Sequence, residues 1–233
     1  MPEPPKVTCD VFIRSYRTDF HWLKYCLRSC EKHLSGFNRI HIAIPADDIR
    51  IYQPHSHEVV HIVDNWSDDY IGQQYTKLCA DMFCYSDFIL HVDSDCIFTS
   101  PTSPQDFMCN EKAVILHEDG VETPWVPIVA RTMGFNMESE YMRRLPMIYP
   151  RWIYAGFREF IEKRHGMKLK EWMKIQPYHE FSEFNCLGAW AWKFAREGVE
   201  WKLPSEMPTK AKQFWSWGGI DGCVEEIEKS LAE

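Results

Sequence analysis

The first half of the chain alternates between short apolar runs and segments in which apolar residues follow a helical spacing. Each run is rich in β-branched or aromatic side chains and is bounded by polar residues or proline, which predicts a buried strand. The runs lie at 7–13, 40–44, 59–63, 88–92 and 113–116. Strands that alternate with helices predict an α/β fold with a central, mostly parallel sheet flanked by helices. In such folds, ligands bind beyond the carboxyl ends of the strands.

Helical spacing appears first at positions 23, 26, 27 and 30, which are apolar and would lie on one face of a helix. Asp19 precedes this pattern and is predicted to cap the helix. Further helices are predicted over 72–83 and 152–165, and the segment 178–196 begins polar and continues as an apolar helical run. The loops at 14–19 and 93–95 follow neighbouring predicted strands, so we expect them to share one crevice.

Composition and net charge limit the kinds of protein that the chain can be. The 233 residues are 45% hydrophobic and 26% charged, which predicts one globular domain over residues 1–233. The formal net charge of -8 argues against a wide basic surface, so no nucleic-acid partner is expected.

The cysteines and the hydropathy of the chain bear on the cellular compartment of the protein. None of the nine cysteines belongs to a CxxC pair, and most lie in apolar runs, which is typical of reduced thiols in a cytoplasmic protein. The first ten residues lack the basic flank and apolar stretch of a signal peptide. No apolar run approaches the roughly 18 residues that a membrane span needs, so no transmembrane segment is expected.

Two aspartates follow the apolar run 88–92. In an extended backbone, Asp93 and Asp95 would point the same way and Ser94 the opposite way. Paired carboxylates suit a hard divalent cation such as Mn2+ or Mg2+, which completes its shell with water and substrate phosphates. Apolar residues on both sides favour a functional pair, because burying two charges is costly unless a cation or donor compensates.

Three segments together resemble one family. FILHVDSDCIF at 88–98 resembles the DxD strand of the GT-A glycosyltransferases, which bind a nucleotide-sugar diphosphate through a divalent metal. VTCDVFIRSYRTDFHWLKYCLRSC at 7–30 is similar to the first strand, nucleotide loop and helix of small GT-A enzymes, including those of large algal viruses and bacterial polysaccharide clusters. DYIGQQYTKLCADMF at 69–83 is similar to the helix before the DxD strand. The resemblance implies a nucleotide-sugar-binding half over 1–120 and an acceptor-side half over 121–233.

Carried over residue by residue, the resemblance implies donor contacts at the end of the first strand. These are Arg14, Ser15, Tyr16 and Arg17. Tyr16 would stack on the base, and a surface turn is the alternative for this loop. On the second helix, Gln74 and Lys77 would face the phosphates or the sugar, a solvated helix face being the alternative. Asp93 and Ser94 complete the expected donor contacts.

The same resemblance implies that Asp93 and Asp95 bind Mn2+ or Mg2+, with Asp93 on the metal or the donor ribose. Many GT-A enzymes add a further ligand, often a histidine, from the C-terminal region. No histidine follows His179 here, so His179 or Asp221 would have to supply that ligand.

Glu180 and Glu183 are the candidate bases. They lie three residues apart in a segment rich in Phe and Trp and would share one face of a helix. An apolar environment raises the pKa of a carboxylate, which suits a base that deprotonates an acceptor hydroxyl in an inverting transfer. Glu183 is the first choice. The alternative is that Glu180 is solvated and Glu183 caps or hydrogen-bonds the backbone.

These features predict a metal-dependent glycosyltransferase that moves a hexosyl or deoxyhexosyl group from a nucleoside diphosphate donor, expected to be a UDP-sugar, to a glycan or glycoconjugate acceptor. Two alternatives stay open. A nucleotidyltransferase or phosphohydrolase also uses paired carboxylates and a metal, but usually has more carboxylates. A non-catalytic carbohydrate-binding protein would use the tryptophans as stacking surfaces.

Overall fold

The structure is a computed structural model that describes residues 7–54 and 57–232. The strands in the described ranges are β1 (Cys9–Arg14), β2 (Ile40–Pro45), β3 (Glu58–Val63), β4 (Phe88–Asp93), β5 (Cys96–Phe98), β6 (Met108–Cys109), β7 (Lys112–Leu116), β8 (Met147–Pro150), β9 (Glu200–Lys202) and β10 (Ala211–Gln213). The α-helices are α1 (Phe20–His33), α2 (Asp69–Lys77), α3 (Trp125–Met133), α4 (Trp152–His165), α5 (Leu169–Lys174), α6 (Glu183–Phe194) and α7 (Val224–Ala232).

The central sheet has the strand order β3-β2-β1-β4-β8. The first four strands are parallel and β8 runs antiparallel to β4. The chain therefore builds outward from β1 in one direction and then returns to its other side, so the order reverses between β1 and β4. The fold is α/β with a mostly parallel sheet and is compatible with a Rossmann-like fold. A reversal of this kind opens a crevice at the carboxyl ends of the two strands.

Helices cover both faces of the sheet, as the apolar runs predict. On one face, Phe12 and Ile89 pack in a core shared with α4 and α6. On the other face, Val11 and Leu90 pack against α1. Because side chains alternate along a strand, Arg14 and Asp93 fall on the first of these faces, beneath α2 and α6.

The predicted elements are confirmed, with shifted ends. Helix α2 begins at Asp69 rather than Gly72, because the side chain of Asp68 accepts hydrogen bonds from the Tyr70 and Ile71 amides. Gly72 lies inside the helix, where a Cβ would come within 2.6 Å of the Trp66 ring. Close packing against that ring accounts for the glycine.

The start of α6 is fixed by a buried amide. Asn185 Oδ1 accepts hydrogen bonds from the amides of Tyr141 at 2.9 Å and Met142 at 3.2 Å, and its Nδ2 donates to Glu140 Oε1 at 2.9 Å. One turn further on, Gly188 leaves room for the Tyr141 side chain, which a Cβ would approach to 2.4 Å. These contacts position the helix end that carries Glu183.

Among the described residues, no helix is long and apolar enough to cross a membrane. All nine cysteines lie in the described part of the chain and none is in a disulfide.

Candidate functional site

The crevice between β1 and β4 gathers most of the residues singled out from the sequence. Arg14 of β1 lies opposite Asp93 of β4 in the register of the two strands. Just beyond the strand ends, Ser94 Oγ donates a hydrogen bond to Asp19 Oδ2 at 3.4 Å. The loops 14–19 and 93–95 therefore do share one crevice, as predicted.

Asp95 is held by the C-terminal part of the chain. Its Oδ2 accepts a hydrogen bond from the Ser216 amide at 2.8 Å, and its Oδ1 accepts one from Gln213 Nε2 at 3.2 Å. The Phe214 amide donates to the carbonyl of Asp95 at 3.0 Å. Burial, and then the charge of Asp93, raise the pKa of Asp95. The segment 213–216 thus fixes the direction of this carboxylate.

The expectation of two carboxylates projecting in parallel from an extended strand does not hold. Ser94 and Asp95 form a turn after the last residue of β4. Asp93 reaches toward Lys77 on α2, whereas Asp95 reaches toward the segment 213–216. The two remain close enough for each charge to affect the other.

Asp19 is a third carboxylate in the crevice, and it was not predicted as a site residue. The sequence pattern assigns it to the cap of α1, but its side chain makes no capping hydrogen bond. Instead it faces Ser94. Burial, and then repulsion from Asp95 and Asp93, raise the pKa of Asp19 to about 6. The signal in the sequence that could have identified Asp19 as a site residue is its position after a strand end, in the crevice that the topology predicts.

Lys77 joins the crevice to α6. Its Nζ lies 2.8 Å from Asp93 Oδ1 and 3.2 Å from Glu183 Oε1. Burial lowers the pKa of Lys77, but the two carboxylates outweigh burial and hold it above the ordinary value. Gln74, one turn earlier on the same helix, is also buried, and its Oε1 has no hydrogen-bond partner in the described chain. The solvated-face alternative is therefore wrong for both residues.

Glu183 is the first residue of α6 and is buried. Its surroundings include aromatic rings, but they also include the Lys77 ammonium, which compensates its charge. The environment is therefore less purely apolar than the sequence suggests. Glu180 lies outside this group, half-exposed and ion-paired with Arg131. The structure brings Glu183, but not Glu180, into contact with Lys77.

The loop after β1 is more buried than a surface turn. Arg14 is buried and forms an ion pair with Asp69 at 2.5 Å, and its guanidinium lies 5.5 Å from the centroid of the Tyr16 ring. Ser15 is fully buried, and its Oγ has no partner in the described residues. Arg17 is exposed and pairs with the buried Asp48 at 2.6 Å. Both arginines that were predicted as donor contacts therefore already have carboxylate partners.

The donor atoms of the crevice are of the type that a hard divalent cation prefers, although in the described structure they do not all lie within 4.8 Å of one another. Asp19, Asp93 and Asp95 offer carboxylate oxygens, the ligands that Mn2+ and Mg2+ prefer. The raised pKa of Asp19 indicates that negative charge there is not fully compensated by the protein. Oδ2 of Asp95 accepts one hydrogen bond, from the Ser216 amide, and a carboxylate oxygen has a second lone pair for a metal.

A second group of potential metal ligands lies at the opposite end of the sheet. Asp10, His41 and Cys84 are buried, and their ligand atoms lie within 4.8 Å of one another. Burial opposes ionisation of Asp10, but hydrogen bonds from His41 and Ser86 hold its pKa below the ordinary value. Burial, and then the charge of Asp10, raise the pKa of the Cys84 thiol. A metal would have to displace that proton, so the group is a possible triad for which no ion is identified.

Comparison with known protein-family models found no match, and comparison with curated proteins found none either.

Proposed function

We propose that the protein is a metal-dependent glycosyltransferase of the GT-A type. It would move a hexosyl or deoxyhexosyl group from a UDP-sugar to a glycan or glycoconjugate acceptor. The observation that carries the proposal is the position of three carboxylates, Asp19, Asp93 and Asp95, around the point where the strand order reverses, near enough for the charges of Asp95 and Asp93 to raise the pKa of Asp19. In α/β sheets this reversal point is where nucleotides bind.

Asp19, Asp93 and Asp95 would hold Mn2+ or Mg2+. Such an ion neutralises negative charge on a leaving diphosphate. Lys77 holds Asp93 in place through its 2.8 Å contact. The segment 213–216 does the same for Asp95 by donating to both of its oxygens. Both carboxylates are therefore held in direction before any ligand binds.

Glu183 is the proposed base, since it belongs to the group connected through Lys77. It would accept the proton of the acceptor hydroxyl as that oxygen attacks the anomeric carbon and the bond to the diphosphate breaks. Glu180 is the second candidate; it is half-exposed and ion-paired with Arg131.

A nucleotidyltransferase or phosphohydrolase is favoured by one specific observation, the third carboxylate. Enzymes of that class use several carboxylates to hold two metal ions. Asp19 supplies a carboxylate beyond the pair found in the sequence.

Product analysis distinguishes the two proposals. The protein would be incubated with Mn2+ and either a UDP-, GDP- or ADP-sugar or a nucleoside triphosphate with a sugar 1-phosphate, and the release of nucleoside diphosphate, pyrophosphate and phosphate measured. We expect UDP from a UDP-sugar and neither of the other two products. Asp95→Asn should abolish the release, whereas Asp87→Asn, at the other end of β4, should retain it. Pyrophosphate or phosphate as the product would refute the transferase, as would equal activity of the Asp95 variant.

A further inference from the structure

A short turn next to α6 presents two stacked aromatic rings to solvent. The turn spans Pro177 to Glu180 and is closed by the hydrogen bond that the Glu180 amide donates to the Pro177 carbonyl at 3.0 Å. Tyr178 and His179 are its central residues, with ring centroids 4.0 Å apart and planes inclined by 21°. Tyr178 is nevertheless 61% exposed. The pair therefore forms a flat surface that the rest of the fold does not cover.

One residue of the turn has a backbone conformation that is uncommon for residues other than glycine. His179 has a φ of 60°, in the left-handed region that glycine or asparagine usually fills at the third position of a turn. A bulky side chain is disfavoured in that conformation, and such strain is concentrated at functional sites. A glycine would form the same turn without strain but would remove one of the two rings.

Tyr70 connects the stack to the candidate site. Its ring centroid lies 4.9 Å from that of Tyr178 and 4.9 Å from that of His179. Burial, and then the charges of Glu183 and Tyr178, raise the pKa of Tyr70 to about 12. The turn also leads through Phe181 and Ser182 directly into α6, whose first residue is Glu183. The aromatic surface therefore begins beside Glu183 and extends outward to solvent.

We infer that the Tyr178–His179 turn is a carbohydrate-binding surface that receives one pyranose ring of the acceptor, beside Glu183. The inference rests on the proposed transferase function. A pyranose has an apolar face of C–H groups and an edge of hydroxyls. The stacked rings match the apolar face. The ion pair of Glu180 and Arg131, which adjoins the turn, offers charged partners for the hydroxyls.

Binding of simple glycosides tests the surface without any turnover. Saturation-transfer NMR titrations would use methyl β-D-glucopyranoside, methyl β-D-galactopyranoside and methyl α-D-mannopyranoside. We expect at least one to bind the wild-type protein, and Tyr178→Ala to weaken that binding about five- to tenfold, the size expected for one aromatic stacking contact. Tyr85→Ala is the matched control, since Tyr85 is 76% exposed and precedes β4, at the end of that strand opposite the crevice.

A second variant separates loss of binding from loss of structure. His179→Gly suits the positive φ, so it should leave the urea midpoint unchanged or raised while weakening glycoside binding. The surface is disproved if no glycoside binds the wild-type protein or if Tyr178→Ala binds as tightly as wild type. If Tyr178→Ala instead loses UDP affinity and keeps glycoside affinity, the ring belongs to the nucleobase and the inference is wrong. Glycoside binding that depends on Tyr178, with no release of UDP from any donor, would refute the transferase and leave the surface in place.

Discussion

Replacing Lys77 with methionine tests the buried ion group formed by Asp93, Lys77 and Glu183. The change keeps the unbranched apolar part of the side chain and removes the ammonium. That ammonium lies 2.8 Å from Asp93 Oδ1 and 3.2 Å from Glu183 Oε1. The side chains of Lys77 and Glu183 are only 5% and 7% exposed, so the variant leaves Glu183 as an unpaired charge in a buried position.

The size of the effect follows from this burial. Breaking a buried ion pair by removing one partner costs about 3–5 kcal/mol. The side chain of Asp93 is 25% exposed, so water screens part of its charge and most of the cost falls on Glu183. We therefore expect a loss of about 3 kcal/mol in the free energy of unfolding at about pH 8. The loss should shrink at about pH 5, because an unpaired buried carboxylate takes up a proton more readily in the folded than in the unfolded chain.

Urea unfolding followed by tryptophan fluorescence measures this loss. Adding Glu183→Gln to the Lys77 variant removes the unpaired charge and should restore about half of the lost free energy. Lys174→Met is the matched control, because Lys174 pairs with Glu171 at the surface and should change stability by less than about 1 kcal/mol. Equal stability of Lys77→Met and wild type at about pH 8 would refute the reasoning, as would a double variant less stable than the single one.

Three further outcomes follow from the site. Asp19→Asn should stabilise the metal-free protein above about pH 6 and have little effect near pH 4. The reason is that the raised pKa of Asp19 means that its ionisation opposes folding. Urea unfolding at both pH values shows whether the variant is the more stable protein only at the higher pH. Asn185→Ala should lower the free energy of unfolding by about 3 kcal/mol, since it leaves two backbone amides without their acceptor; thermal unfolding measures this. Glu183→Gln should reduce turnover about 100-fold with donor affinity unchanged, whereas Glu180→Gln should retain most activity. Steady-state kinetics measures both variants, and equal turnover of the two would contradict the assignment of Glu183 as the base.

Much of the sheet could be predicted from local pattern. The runs at 40–44 and 88–92 are apolar except for His41 and His91, because parallel strands in this fold are covered on both faces. The crevice was equally predictable, since polar loops follow adjacent strands and parallel strands end at the same edge. Local pattern places a residue at an edge; it does not say which way its side chain turns.

The parts of the site that escaped prediction depend on contacts between distant segments. Asp95 is oriented by Ser216, and Lys77 by Glu183; these partners lie far apart in sequence and no local spacing connects them. Asp19 illustrates the other difficulty. An aspartate before a helix is usually a cap, and here a competing partner, Ser94, comes from the neighbouring strand end. Tertiary contacts decided between two uses of the same side chain.

The balance of charge in the crevice gives the strongest physical reason to expect a cation. Arg14 and Arg17, which the sequence offers as phosphate partners, are paired with Asp69 and Asp48. Lys77 is shared between two carboxylates. A diphosphate entering the crevice would therefore meet Asp19 and Asp95 with little positive charge left to receive it, and repulsion would oppose binding. A bound divalent cation would place positive charge in the crevice, so that the diphosphate would be attracted rather than repelled. Calorimetry with UDP should accordingly detect binding with Mn2+ and none with EDTA, and binding in EDTA would show that the arginines leave their partners to receive the phosphates.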